Sequence, residues 1–240
     1  MWFASAMLWM ACARPPEQPA IAPVRAPAPS QSNGTSSAST LWWSESFDAP
    51  LLHWRSPSGH SVEQIGSVYS IQHEGPLSFL RARHDAREGA GPRIPAVHYG
   101  TAIEPQPALE RVKLLRWRWR VRQHPQTQGD AWEDVAASVY VVVVHPGLFR
   151  GGKGFKFAWL SRPGPAVQTW QRGLAQIELR SEPAGMQWRT EEVDVCALYR
   201  KVYGPCEGEQ LEYVGVVTDA DGTRSVAEAD YAAFELQVAR

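Results

Sequence analysis

Residues 114–122 read Leu-Leu-Arg-Trp-Arg-Trp-Arg-Val-Arg. Strict alternation of apolar and charged side chains over that length has the period of a β-strand with two chemically opposed faces. Leu115, Trp117, Trp119 and Val121 point one way; Arg116, Arg118, Arg120 and Arg122 point the other. Alternate residues of a strand lie about 7 Å apart, so the guanidinium groups of one row repel unless neighbouring carboxylates, solvent or a bound anion offset them. The stretch predicts a sheet with one face in a core and the other basic.

Outward from it, short strand-like runs punctuated by Gly and Pro cover residues 42–47, 68–73, 78–84, 98–103, 112–123, 135–145, 155–161, 174–180, 187–195, 213–218 and 232–238. This is how an all-β sandwich reads. Helical spacing is limited to 195–203, where Val195, Leu198, Tyr199 and Val202 precede a Gly204-Pro205 stop, and 225–231 reads as a further short turn. In 135–145, Val135, Ala137, Val139, Val141 and Val143 share one face, while Asp134, Ala136, Ser138 and Tyr140 share the other. Antiparallel pairing of this run with the Arg strand would set Asp134, Ser138 and Tyr140 beside the Arg row.

The chain has 240 residues with 24 basic against 25 acidic groups and 44% apolar content, enough for one substantial core and without a global charge bias. That balance argues against a general nucleic-acid binder. Eleven Trp, several alternating with polar residues, read as strand residues of large contact area, part core and part candidate ligand platform.

Residues 1–12, MWFASAMLWMAC, are apolar, uncharged and shorter than the roughly 20 residues that span a bilayer. They resemble a secretory signal, and Ala11-Cys12 resembles a lipoprotein signal in which Cys12 is lipidated and anchors the chain to a membrane. Trp9 stands where a small aliphatic residue is usual, and no Lys or Arg precedes the run. Plain secretion and an apolar start without a targeting role are the other readings. Residues 13–40 are rich in Pro, Ala and Ser with no apolar face, as in an unpacked, semi-extended tether. The expected organisation is a signal-like segment 1–12, a linker 13–40 and one sandwich domain 41–240, on the periplasmic side of a bacterial envelope or anchored in its outer membrane.

Cys196 and Cys206 have nine residues between them. In an oxidising compartment they can close a disulfide loop; the alternative is two buried thiols. No CxxC or HxxxH partner supports zinc.

The order LRWRW, EDVAASVYVVV, FAWLS, VDVCALYRKVYG, VGVVTDADGT and YAAFEL resembles the bacterial family known as domain of unknown function 3047. Its members carry a comparable LRWRW-like strand and a Gly-Asp-Asp run into R-V-Y-V. A Y-V-W strand, a D-Y-R-x-x-F-G helix and T-D-x-D-N-T follow. The resemblance covers about residues 47–236. Glu133-Asp134 matches the paired Asp, Ser138 replaces the Arg before V-Y-V, and Gly222 replaces the Asn. It implies a jelly-roll-like β-sandwich, galactose-binding or concanavalin-like, with one or two short helices and bacterial export; it implies no activity.

Three constellations could carry chemistry. Arg116, Arg118 and Arg120 with Asp134, Ser138 and Tyr140, joined by Gln176, Glu178 and Arg180 from another alternating strand, suit acidic or hydroxyl-rich glycans, because guanidinium groups bind carboxylates bidentately and stack on rings. The alternative is a solvated face laced by weak ion pairs. Asp219, Asp221 and Thr223 could place oxygens around calcium, although Asp-Gly is equally a tight turn. Glu133 with Asp134, or Glu191 with Asp194, invites a glycan hydrolase, but sequence neighbours on a strand face opposite ways. No HExxH, nucleophile elbow or P-loop appears, and residues 151–154 read as a Gly-rich hairpin loop. The expectation is a module binding a glycan or envelope polymer; a structural lipoprotein docking a protein partner is the competing class.

Overall fold

The computed structural model describes residues 39–89, 95–146, 153–164, 167–169 and 173–240. The signal-like segment with Cys12, nearly all of the linker and the first half of the Gly-rich loop lie outside the described residues. The strands are β1 (Ser39–Glu45), β2 (Tyr69–Glu74), β3 (Leu77–Asp85), β4 (Tyr99–Ala102), β5 (Val112–Gln123), β6 (Ala137–Val144), β7 (Lys153–Trp159), β8 (Val167–Thr169), β9 (Leu174–Arg180), β10 (Arg189–Val193), β11 (Gln210–Val217) and β12 (Val226–Ala239). Two helices, α1 (Val62–Val68) and α2 (Val195–Val202), accompany them.

The strands form a jelly-roll-like sandwich. Sheet I runs β10-β5-β12-β3-β2, with β1 also paired to β12; sheet II runs β4-β11-β6-β7-β9-β8, in which β7 and β9 are parallel and the other pairs antiparallel. The Arg strand, β5, lies in sheet I between β10 and β12 with the bounds its alternation predicts. Leu115, Trp117, Trp119 and Val121 are all buried. They meet the inner face of sheet II, where Val139, Val141 and Val143 of β6 and Phe155, Phe157 and Trp159 of β7 are buried in the same core. Ring centroids lie 5.6 Å apart for Trp117 and Phe157 and 5.8 Å for Trp119 and Trp159. The high tryptophan content is therefore in part inter-sheet filler.

Two expectations need correction. β6 does not pair with the Arg strand: it lies between β11 and β7 in the other sheet, because its apolar face and that of β5 are the two halves of one core. Residues 226–231 are not a turn but the first half of β12, whose inward positions Ala227 and Ala229 are small and so show no bulky alternation. A β-bulge at Ala232–Ala233, with Ala233 at φ 50°, shifts the inward phase from Ala227, Ala229 and Tyr231 to Phe234, Leu236 and Val238. One 14-residue strand thereby keeps one face in the core.

Helix α1 was not expected, since seven residues show too little periodicity. Its signal is the capping box, in which Ser61 Oγ accepts from Gln64 N at 3.2 Å while Ser61 N donates to Gln64 Oε1 at 2.9 Å. Helix α2 starts at an Asp194 cap, whose carboxylate accepts from Ala197 N at 2.8 Å. A disulfide joins Cys196 in its first turn to Cys206 beyond its end.

Candidate functional site

The Arg row lies on the outer face of sheet I, and the cross-strand register decides the partner of each guanidinium. Arg116 sits opposite Glu192 on β10 and Glu235 on β12 and pairs with both, at 2.6 and 3.3 Å. Arg120 sits opposite Asp230; its Nε donates to that carboxylate at 2.7 Å and its Nη2 to Glu74 at 2.7 Å. Arg122 pairs with Glu228 at 2.8 Å. Arg118 faces Thr190 and Ala232, which carry no charge, and stacks over Trp188 at 5.4 Å. Three of the four are thus neutralised within the sheet, as the repulsion along the row requires.

Asp134, Ser138 and Tyr140 are not beside this row, because Ser138 and Tyr140 belong to β6 of sheet II and Asp134 lies in the segment leading into it. Ser138 is buried, its hydroxyl donating to Val217 O at 3.0 Å. Arg180 leaves the face of Gln176 at a bulge in β9 and pairs with Glu191 and Glu182. Glu191 also accepts from Trp119 Nε1 at 2.8 Å and lies against the core, where burial raises its pKa. With Asp194 used as a helix cap, Glu191 and Asp194 do not form a pair of catalytic carboxylates.

The 218–223 segment wraps around Asp134 instead. Asp219 N donates to Val135 O at 2.9 Å, bringing the end of β11 alongside the start of β6. Asp134 then accepts from Gly222 N at 3.2 Å, Thr223 N at 2.7 Å and Thr223 Oγ1 at 2.6 Å. A Cβ on Gly222 would lie 3.2 Å from Asp134 Oδ1, so the glycine lets this amide approach. Thr223 serves as a donor to Asp134 rather than as a member of the oxygen cluster expected for it. Asp134 takes that place: one carboxylate oxygen from each of Asp134, Asp219 and Asp221 lies within 4.8 Å of the others, close enough for a cation. Burial and the neighbouring Asp219 charge raise the Asp221 pKa, whereas for Asp219 burial is outweighed by His84, Asp221 N and Lys156, and its pKa is lowered.

In sheet II one row of register partners runs Gly100, Gly215, Tyr140, Lys156 and Gln176, with Tyr140, Lys156 and Gln176 on its outer face. At its glycine end the Tyr213 ring fills the space, since a Cβ on Gly100 or Gly215 would fall 2.4–2.5 Å from Tyr213 Oη. At its centre, Tyr140, Lys156 and Gln176 are only 7%, 5% and 5% exposed. Among the described residues their polar ends make no hydrogen bond or ion pair; Lys156 Nζ lies 5.9 Å from the Tyr140 ring centroid, and His98 packs edge-on against that ring at 4.8 Å. Burial lowers Lys156 to about 8, with Asp219 and Asp134 pulling the other way, and burial followed by the Lys156 charge lowers His98 to about 4. Beside the row, Ala131, Trp132, Val135, Ala158 and Leu160 form a small apolar cluster, and Gly164 N donates to Glu178 at 2.8 Å.

Tyr140, Gln176 and Glu178 of the expected constellation thus share a face, but with Lys156 rather than the arginines. Lys156, His98 and Tyr213 were missed. For Lys156 the signal was legible: it stands alone between Phe155 and Phe157 in a run whose odd positions are aromatic.

The architecture is a two-sheet β-sandwich with a polar row sunk into one outer face. Residues 156–235 match the family described as protein of unknown function (DUF3047), in agreement with the order of motifs. No curated protein matches the chain at a significant level. Among solved structures, endoglucanase cel12A from Rhodothermus marinus is 11% identical, with 84% of this chain and 98% of that one covered at a TM-score of 0.47. The mannan-recognising carbohydrate-binding module TmCBM27 is 14% identical over 84% and 98%, at 0.36. The xyloglucanase domain of NopAA from Sinorhizobium fredii is 9% identical over 71% and 87%, at 0.40.

Proposed function

We propose that this chain is a glycan-binding module whose ligand lies across the strands on the outer face of sheet II. The observation that carries the reading is the Tyr140–Lys156–Gln176 row: three buried polar side chains, in register on adjacent strands, with polar ends unpartnered among the described residues. Polar side chains this little exposed normally hydrogen-bond within the protein, and here the open outer face is where they can find partners. A hydroxyl-rich ligand supplies the missing donors and acceptors, and Tyr140 and Tyr213 add ring surface.

The same proposal places the domain outside the cytoplasm, tethered through Cys12. The Cys196–Cys206 disulfide supports it, because such bonds persist in oxidising compartments. Metabolic labelling with a fatty acid, retained in wild type and lost in Cys12→Ala, is the expected result for the anchor.

The binding test is a thermal-shift and affinity-electrophoresis screen of the full-length chain against soluble neutral and acidic glycans, alongside Gln176→Leu. A ligand specific for the folded state raises Tm by mass action. At least one glycan is expected to shift wild type and not the variant, whose ligand-free Tm stays close to wild type because Leu fills a similar volume. A flat screen, or equal shifts in both proteins, overturns the proposal.

A further inference from the structure

Lys156 differs from the arginines of the Arg row on the other sheet. Arg116, Arg120 and Arg122 each have a carboxylate against the guanidinium, whereas Lys156 Nζ, in a residue only 5% exposed, has the Tyr140 ring at 5.9 Å but neither a hydrogen bond nor an ion pair among the described residues. Asp219 and Asp134 act on it only at a distance, and both carboxylates are engaged elsewhere: Asp134 by Gly222 and Thr223, Asp219 by Asp221 N at 3.2 Å. An ammonium group has three donors and no acceptor. Its row neighbours add the Tyr140 hydroxyl and the Gln176 amide, so the centre of the row is rich in donors aligned across two strand spacings, roughly 10 Å.

We infer that the ligand of this face is an acidic glycan of the uronic-acid class, with a sugar carboxylate bound directly to Lys156 Nζ. This rests on the glycan-binding reading and specifies its substrate class. A carboxylate offers about four acceptor positions, which match the ammonium and its two neighbours. Direct contact with a carboxylate also offsets the desolvation of this largely buried cation, which a neutral hydroxyl does only in part.

The test measures Kd of the full-length chain for oligogalacturonate, oligoalginate and hyaluronan oligosaccharides, each paired with its methyl ester, together with neutral gluco- and manno-oligosaccharides. The ester keeps the backbone and removes the charge. At least one acid is expected to bind about tenfold or more tighter than its ester. Lys156→Met reduces that ratio to about one, and Lys156→Arg restores part of it. Should Lys156→Met not fold, as read by near-ultraviolet circular dichroism, salt dependence in wild type decides: acid binding weakens with added NaCl and ester binding does not. Equal affinity for every acid and its ester, or preference for neutral glycans, overturns the acidic-ligand inference and leaves glycan binding standing. Absence of binding to all of them overturns both.

Discussion

Asp230 shows how much one residue can hold in place. Its side chain is fully buried, yet it accepts from Arg81 at 2.8 Å and Arg120 at 2.7 Å and lies 3.6 Å from Arg122. Arg120 is itself 2% exposed, clamped over Trp188 at 4.4 Å and Phe79 at 5.2 Å. Asp230→Ala would leave a buried guanidinium held mainly by Glu74, and a loss of about 3–5 kcal/mol in urea unfolding is expected. Glu192→Ala removes an exposed partner of Arg116 and is expected to cost less than about 1 kcal/mol. Equal losses would mean that the row is solvated throughout. The alternation of Arg and Trp made the two faces of this strand legible from the residues alone. It could not say which arginines are buried, because that depends on whether register sets a carboxylate or an uncharged residue opposite each one.

At the scale of elements, the 218–223 turn is held by a residue from a different strand. Asp134 takes both backbone amides of Gly222 and Thr223 and the Thr223 hydroxyl, while Asp219 N closes onto Val135 O. Asp134→Ala is therefore expected to cost about 1–3 kcal/mol and to expose those amides. Hydrogen exchange at Gly222 and Thr223 should speed up while the core amides of β5 keep their relative protection. Unchanged exchange there would show that the turn stands on its own Asx geometry. The sequence motif was visible as a turn or a calcium loop, but the element that completes it lies almost ninety residues upstream. Spacing along the chain carries no trace of such a contact. The first half of β12 was hidden for a different reason: alanines facing inward leave no amphipathic signal.

For the whole molecule, burying Lys156 links stability to pH. Its pKa falls from 10.5 to about 8, chiefly by burial. Between those values the unfolded chain keeps a proton that the folded chain has released, so this residue makes stability rise with pH from about 8 to 10.5; below 8 its full cost is present. Lys156→Met removes that cost. The advantage of the variant in unfolding free energy is expected to be largest below pH 8 and to shrink steadily towards pH 10.5. Burial raises the Tyr140 pKa and lowers His98 to about 4, so neither neighbour titrates inside that window. A difference that stays flat across the window would mean that Lys156 is charged and well solvated when folded.

By itself the sequence determined the all-β class, most strand positions, the helix at 195–202, the two faces of the Arg strand and the family motifs. All of these are local: hydrophobic period, turn chemistry and short-range order are written within ten or so residues. Only the tertiary structure decided that the Arg strand and β6 lie in opposite sheets, that Asp134 rather than Thr223 joins Asp219 and Asp221, and that Tyr140 shares a row with Lys156 and Gln176. The physical reason is that strand alternation states which side of a sheet a residue faces but not which strand lies next to it. That pairing is settled by how two apolar faces fill one core.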